Sequence, residues 1–163
     1  MRTMLSALLG LGPKSGRLAR RDLADSPPVL IASGKQEDQR TIQDLFRGSR
    51  WRAVPVTGWR DALDLITGAS IPVVLCDRDL PGPEWQQGIT ALHRSGACPA
   101  VILLSGVADP YLWDELVQAG GFDVLTRPFR RDETLAMIEF AYTHWKTERQ
   151  GQGAQLITPF RTA

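Results

Sequence analysis

The sequence predicts an α/β fold, a parallel sheet with helices on both faces. Three observations carry this. Short, wholly apolar runs recur along the chain, as expected of strands covered on both sides. Each run is followed by a stretch with apolar residues three and four apart, the spacing of a helix with one buried face. The alternation repeats five times between residues 29 and 148, and right-handed crossovers follow for parallel neighbours.

Val29-Leu30-Ile31-Ala32 is the first strand, and Gln36 to Gly48 the first helix, with Ile42, Leu45 and Phe46 inward and Gly48 as its stop. Trp51 to Val56 is a weaker strand. Its Pro55 lacks a ladder donor and suits an edge. Gly58 to Gly68 is the second helix, with Ala62, Leu63 and Ile66 inward. Ile71 to Cys76 is the third and most apolar strand, and the turn Leu80-Pro81-Gly82-Pro83 leads to a helix over Glu84 to Ser95. Trp85, Ile89 and Leu92 share one face of that helix. Ala100 to Leu104 is the fourth strand. Asp109 caps a helix with Pro110 in its first turn, ending near Ala119 before Gly120-Gly121. Phe122 to Thr126 is the fifth strand. The last helix runs from Arg130 to about Glu148 on a stripe of Leu135, Ile138, Ala141 and Trp145. Gln150-Gly151-Gln152-Gly153 reads as tail. The domain reading is a basic, flexible extension over 1–28, one domain over 29–148, and a tail over 149–163.

Apolar residues at 43% and charged residues at 23% place the chain in the globular range. A net charge of +1 gives no bulk field for nucleic acid or membrane. Arg2, Lys14, Arg17, Arg20 and Arg21 concentrate positive charge at the start, where a solvated arm is the expectation. No apolar run reaches the length of a membrane span. Met4 to Leu11 imitates a signal peptide only weakly, with no small-residue cleavage site after it. Cys76 and Cys98 have neither metal-ligand spacing nor a CxxC pattern. Both are expected as buried, unpaired thiols of a reducing, cytoplasmic compartment.

In doubly wound sheets, function gathers at the carboxyl ends of the strands. Asp77-Arg78-Asp79-Leu80-Pro81-Gly82 follows the third strand, Ser105-Gly106 the fourth, and Arg127-Pro128-Phe129 the fifth. A carboxylate, a hydroxyl and a cation therefore converge on one edge, a set suited to carrying and reading a phosphoryl group. Ser33-Gly34-Lys35 after the first strand is too short for a Gly-rich phosphate loop, which argues against a nucleotide or flavin site. His93 and His144 fall within helices, so no catalytic base is evident and the chain is read as not an enzyme.

These segments resemble the receiver domains of bacterial response regulators. Asp77 to Gly82 matches the family's D-x-x-[LM]-P-G, Ser105-Gly106 its switch hydroxyl with a small neighbour, and Gly120 to Phe129 its final turn and D-x-L-x-K-P-F segment. The resemblance implies a flavodoxin-like (βα)5 sheet of strand order 2-1-3-4-5. It makes Asp77 the candidate phosphoacceptor, with Ser105 and Arg127 as its readers. It implies a sensor histidine kinase or other signalling protein as partner, and a homodimer through the fourth helix, fifth strand and fifth helix. It also implies a cis bond before Pro128.

The chain departs from the family at three places. Ser33 and Gly34 stand where the family has an acidic pair, Arg127 replaces its lysine, and Val124 replaces an aromatic. Mg²⁺ is therefore expected to bind weakly or not at all, with Asp77 and Asp79 as its remaining ligands. Glu37 and Asp38 start the first helix and also lie near this edge, and they are read as acids favouring that helix start. Arg127 is expected to pair with Asp77. The alternative function is a phosphorylation-independent protein-interaction module.

Overall fold

The computed structural model describes residues 25–155. Five strands form one parallel sheet of order β2-β1-β3-β4-β5. In chain order the elements are β1 (Pro28–Ala32), α1 (Gln36–Phe46), β2 (Arg52–Val56), α2 (Trp59–Gly68), β3 (Val73–Asp77), α3 (Trp85–Arg94), β4 (Ala100–Ser105), α4 (Pro110–Gln118), β5 (Asp123–Thr126) and α5 (Arg131–Gln155). Fold class and strand order are those the sequence predicts, and Pro55 does lie on an edge strand.

Alternation along the strands sorts side chains to two cores. Leu30, Val74, Cys76, Val101 and Leu103 point to the side of α2, α3 and α4, where Trp59, Ile66, Ile89, Leu112 and Leu116 meet them. Val29, Ile31, Val73, Leu75, Ile102 and Leu104 point to the side of α1 and α5, against Ile42, Phe46, Ile138 and Tyr142. Asp77 continues the series Val73, Leu75, so its side chain leaves the sheet toward α1.

Three details depart from the sequence reading. Leu65 rather than Leu63 is the buried leucine of α2, with Leu63 partly covered. The last helix does not stop near Glu148 but continues to Gln155. Its later turns are held by Arg149, which stacks 4.9 Å over the Trp145 ring and bonds Ser70 Oγ at 3.2 Å. Those contacts offset the low helix propensity of Gly151 and Gly153. Cys98 is exposed, unlike the buried Cys76. It adopts a positive φ of 41° in the turn before β4, which directs it away from the core. The reading of 1–28 as a basic arm falls almost wholly outside the described residues.

Gly88 on α3 marks the tightest helix–helix approach on the α2 side. A Cβ there would lie 2.4 Å from Trp59 Cε2 and Cζ2, and Trp59 is buried. Alanine favours a helix over glycine by about 1 kcal/mol, whereas overpacking costs about 1–3 kcal/mol. We expect the clash to win. Gly88→Ala should lower stability to urea by about 1–2 kcal/mol, and less in a Trp59→Phe background. A Gly88→Ala chain more stable than wild type would contradict this packing.

Candidate functional site at the strand ends

The sheet ladder runs past the strands and fixes the loops that carry the site. Ser33 N–H donates to Val56 O at 3.1 Å, Arg78 N–H to Leu104 O at 3.0 Å, and Arg127 N–H to Ser105 O at 2.9 Å. The Gln39 amide on α1 lies 3.0 Å from the carbonyl oxygens of Ile31, Ser33 and Val56, which clamps the start of α1 onto the ends of β1 and β2. Lys35 and Asp38, both just ahead of that clamp in the chain, are thereby positioned over the end of β3.

Asp77 is 1% exposed at the end of β3. Arg127 Nη2 lies 3.2 Å from its Oδ1, and Lys35 Nζ 3.3 Å from its Oδ2. The Asp79 N–H also donates to Oδ1 at 3.2 Å, so residues 77–79 close an Asx turn. Each oxygen of this buried carboxylate faces its own cation.

Arg127 enters the site across the cis bond to Pro128, as the resemblance implies. Its ion pair with Asp77 is present, but its principal partner is Asp38. Nε donates to Asp38 Oδ1 at 3.0 Å and Nη2 to Oδ2 at 2.5 Å, a two-bond grip. Asp38 is buried in the first turn of α1, where the sequence reading puts it, and from there it also holds Arg127. Burial pushes its carboxyl up. The hydrogen bonds from Arg127 and Ser33, with the charges of Arg127 and Lys35, outweigh that and hold it below the usual carboxylate range. The bond to Asp38 in turn raises Arg127 above its ordinary value. Ser33 Oγ donates to Asp38 Oδ2 at 3.0 Å, and Asp77 Oδ2 lies farther away at 3.4 Å. One hydroxyl proton serves one acceptor at a time, so the shorter bond to Asp38 dominates.

The Asp79 side chain is exposed and meets the site through Lys35 Nζ, at 3.3 Å. Ser105 is buried at the end of β4, but its hydroxyl donates to Val107 O at 3.0 Å and accepts from Val107 N–H at 3.2 Å. It lines the edge without contacting Asp77. His93 bonds Gly120 O at 2.7 Å and His144 packs 5.3 Å from Phe122, so both rings serve the scaffold. Sequence reasoning missed Lys35 as a site residue, and for Asp38 it missed the pairing with Arg127.

The fold is that of response-regulator receiver domains. Among solved structures, the signal receiver domain of an HD domain-containing protein from Pseudomonas fluorescens Pf-5 matches with a TM-score of 0.70 and 18% identity, over 84% of this chain and 98% of that one. The receiver domain of the Francisella response regulator 1452 matches at 0.66 and 23%, over 72% and 97%. The receiver domain of the sensor histidine kinase PA1611 from Pseudomonas aeruginosa PAO1, solved with a magnesium ion in its active-site cleft, matches at 0.63 and 20%, over 71% and 97%. In sequence, the DNA-binding transcriptional regulator NtrC of Proteus hauseri is 30% identical over 97 residues, 60% of this chain. The NtrC of Klebsiella pneumoniae is 26% identical over 99 residues, 61% of this chain. The chain spans about a fifth of the length of these relatives. No family model matches. The chain is thus similar to receiver domains in fold, and to these regulators over 97 to 99 residues of sequence.

A metal of the kind held by PA1611 does not fit the residues present here. Among the described residues no group of three or more His, Cys, Asp or Glu could hold an ion. Both oxygens of Asp38 are taken by Arg127, and both of Asp77 face cations.

Because Asp38 is held below its usual range, its pairing stabilises the fold at neutral pH and is lost as pH falls through that lowered value. Asp38→Asn should lower stability at pH 7 by about 2–3 kcal/mol, since it leaves the half-buried Arg127 with Asp77 alone. In denaturant titrations the gap from wild type should narrow as pH drops below about 4. A gap that stays constant down to acid would refute the ion pair.

Proposed function

We propose that the chain serves two-component signalling as a receiver, with Asp77 accepting a phosphoryl group from a sensor histidine kinase or other phosphodonor. The observation supporting this most is the pair of protein cations on Asp77, at 3.2 and 3.3 Å. In the transfer, an Asp77 carboxylate oxygen bonds to phosphorus while the donor's bond to phosphorus breaks and the leaving group keeps the electron pair. A bound phosphoryl group carries about two negative charges at neutral pH. Arg127 and Lys35 already stand where that charge arrives, so little reorganisation is needed. Ser105, one residue beyond the partner of Asp77 in the β3–β4 register, is the hydroxyl within reach if its bond to Val107 opens. On this reading the chain is not an enzyme. Mg²⁺ plays a weak part or none, with only Asp77 and Asp79 left to offer it oxygen. Residues 29–148 form the receiver unit, in a cytoplasmic setting. Among the described residues no helix is long and apolar enough to cross a membrane.

A second reading, a phosphorylation-independent interaction module, is favoured by the near-complete burial of Asp77 and by the local engagement of Ser105. Either reading needs a docking face. On α4, Tyr111 is 77% and Trp113 48% exposed, while Leu112 and Leu116 take the core positions. Aromatic residues are enriched among binding hot spots. We read the face of α4, β5 and α5 as the surface for a signalling partner or a second copy, and assign no nucleic-acid contact.

Wild-type protein incubated with acetyl phosphate should gain the mass of one phosphoryl group, and Asp77→Asn should not. A wild type that stays unmodified under every donor tried, or an adduct mapped to Asp79 or a histidine, would defeat the acceptor reading. The double variant Tyr111→Ala/Trp113→Ala should keep its melting temperature within about 2 °C, as surface changes usually do, yet lose self-association or partner capture. A large drop in melting temperature with binding intact would place these rings in the core instead.

A further inference from the structure

Lys35 is where the strand-end site departs furthest from a carboxylate cage. It stands directly after Gly34 and precedes the first residue of α1. Its backbone N–H donates to Ser33 Oγ at 3.1 Å, which sets the point from which the side chain departs. From there the ammonium reaches Asp77 Oδ2 and Asp79 Oδ2, both at 3.3 Å. This cation bridges the buried strand-end carboxylate and a second carboxylate two residues on, at the distance of an ammonium rather than of a coordinated metal ion.

We propose that the Lys35 ammonium is this chain's resident cation, seated between Asp77 and Asp79 in place of a divalent ion, so that the site is charge-compensated from within and excludes such ions while Lys35 is present. The inference rests on reading the strand-end cluster as the receiver site, but it does not require Asp77 to accept phosphate.

Three physical effects act together. A hexacoordinate divalent cation such as Mg²⁺ needs oxygen lone pairs in near-octahedral array at about 2.0–2.1 Å. Here the lone pairs of Asp38 are committed to Arg127 and Ser33, and those of Asp77 to Arg127, Lys35 and the Asp79 N–H. Next, an ion entering the gap between Asp77 and Asp79 would sit against a positive ammonium, and like charges repel most strongly beside a buried partner. Finally, a tethered cation does not dissociate, so its occupancy is independent of free metal concentration. The ammonium carries one charge rather than two, and Arg127 on the other Asp77 oxygen supplies the second. The Lys35 side chain is 47% exposed and reaches in from solvent, so its removal should leave the fold intact.

Removing the resident cation should open the site to a metal. Mn²⁺ is the probe, a hexacoordinate divalent ion whose free form is counted by paramagnetic resonance. Wild type, Lys35→Ala and Lys35→Ala/Asp77→Asn are titrated, with circular dichroism melts to confirm folding. Lys35→Ala should show a saturable site with affinity roughly tenfold or more above wild type, and the double variant should lose it. A wild type that binds Mn²⁺ as tightly as Lys35→Ala, or a Lys35→Ala chain that gains no site, would overturn the proposal. Should Lys35→Ala melt early, Lys35→Met keeps the apolar stem without the charge and should gain the same Mn²⁺ site. The acceptor reading is judged separately by the phosphoryl adduct on Asp77, so the failure of either is visible without the other.

Discussion

One guanidinium joins the first helix to the last strand end. Arg127 leaves β5, grips both oxygens of Asp38 on α1, and reaches Asp77 at the end of β3 with the same Nη2. Three elements that are distant in sequence are tied by one planar cation that stays charged at any ordinary pH. The rest of the site depends on this. With Asp38 drawn onto Arg127, Ser33 turns its proton to Asp38, and the second oxygen of Asp77 is left to Lys35.

The electrostatic logic follows from what the strand-one end lacks. A receiver with an acidic pair there gathers carboxylates that repel one another until a divalent ion neutralises them. Like charges about 4 Å apart interact by roughly 4 kcal/mol at an effective dielectric near 20. In this chain Ser33 and Gly34 remove that repulsion, and Lys35 and Arg127 face the carboxylates that remain. Burying an unpaired carboxylate is costly. Asp77 can therefore be almost fully buried because both of its oxygens have cationic partners in the chain. The thiol beside it shows the same environment in reverse. Burial and the Asp77 charge push Cys76 up, which leaves it an inert core residue.

Much of the fold was legible because the signals are local. Strand alternation, Pro55 on an edge, the Asp109 cap and the glycine-rich stop after α4 each act within a few residues, and the structure places them accordingly. The three strand-end motifs were legible for the same reason. The pair of Arg127 with Asp77 was legible as well, but the other ion pairs were not. That Arg127 prefers Asp38 to Asp77 depends on how Gln39 clamps α1 over the sheet, a tertiary detail with no signature along the chain. Lys35 left one usable signal, its position directly after the first strand end. The extension of α5 through Gly151 was hidden because glycine weakens a helix locally, while the contacts that hold it, Arg149 on Trp145 and Ser70, lie elsewhere. The exposure of Cys98 likewise follows from a turn geometry that composition does not encode.

The central claim is that protein cations, rather than a metal, balance the charge around Asp77. It is tested most directly by a crystal structure grown or soaked in Mn²⁺ with an anomalous-difference map. We predict no anomalous peak at the end of β3, with the Lys35 ammonium between Asp77 and Asp79 and Arg127 on Asp38. An Mn²⁺ peak coordinated by Asp77, with Lys35 swung out to solvent, would contradict it.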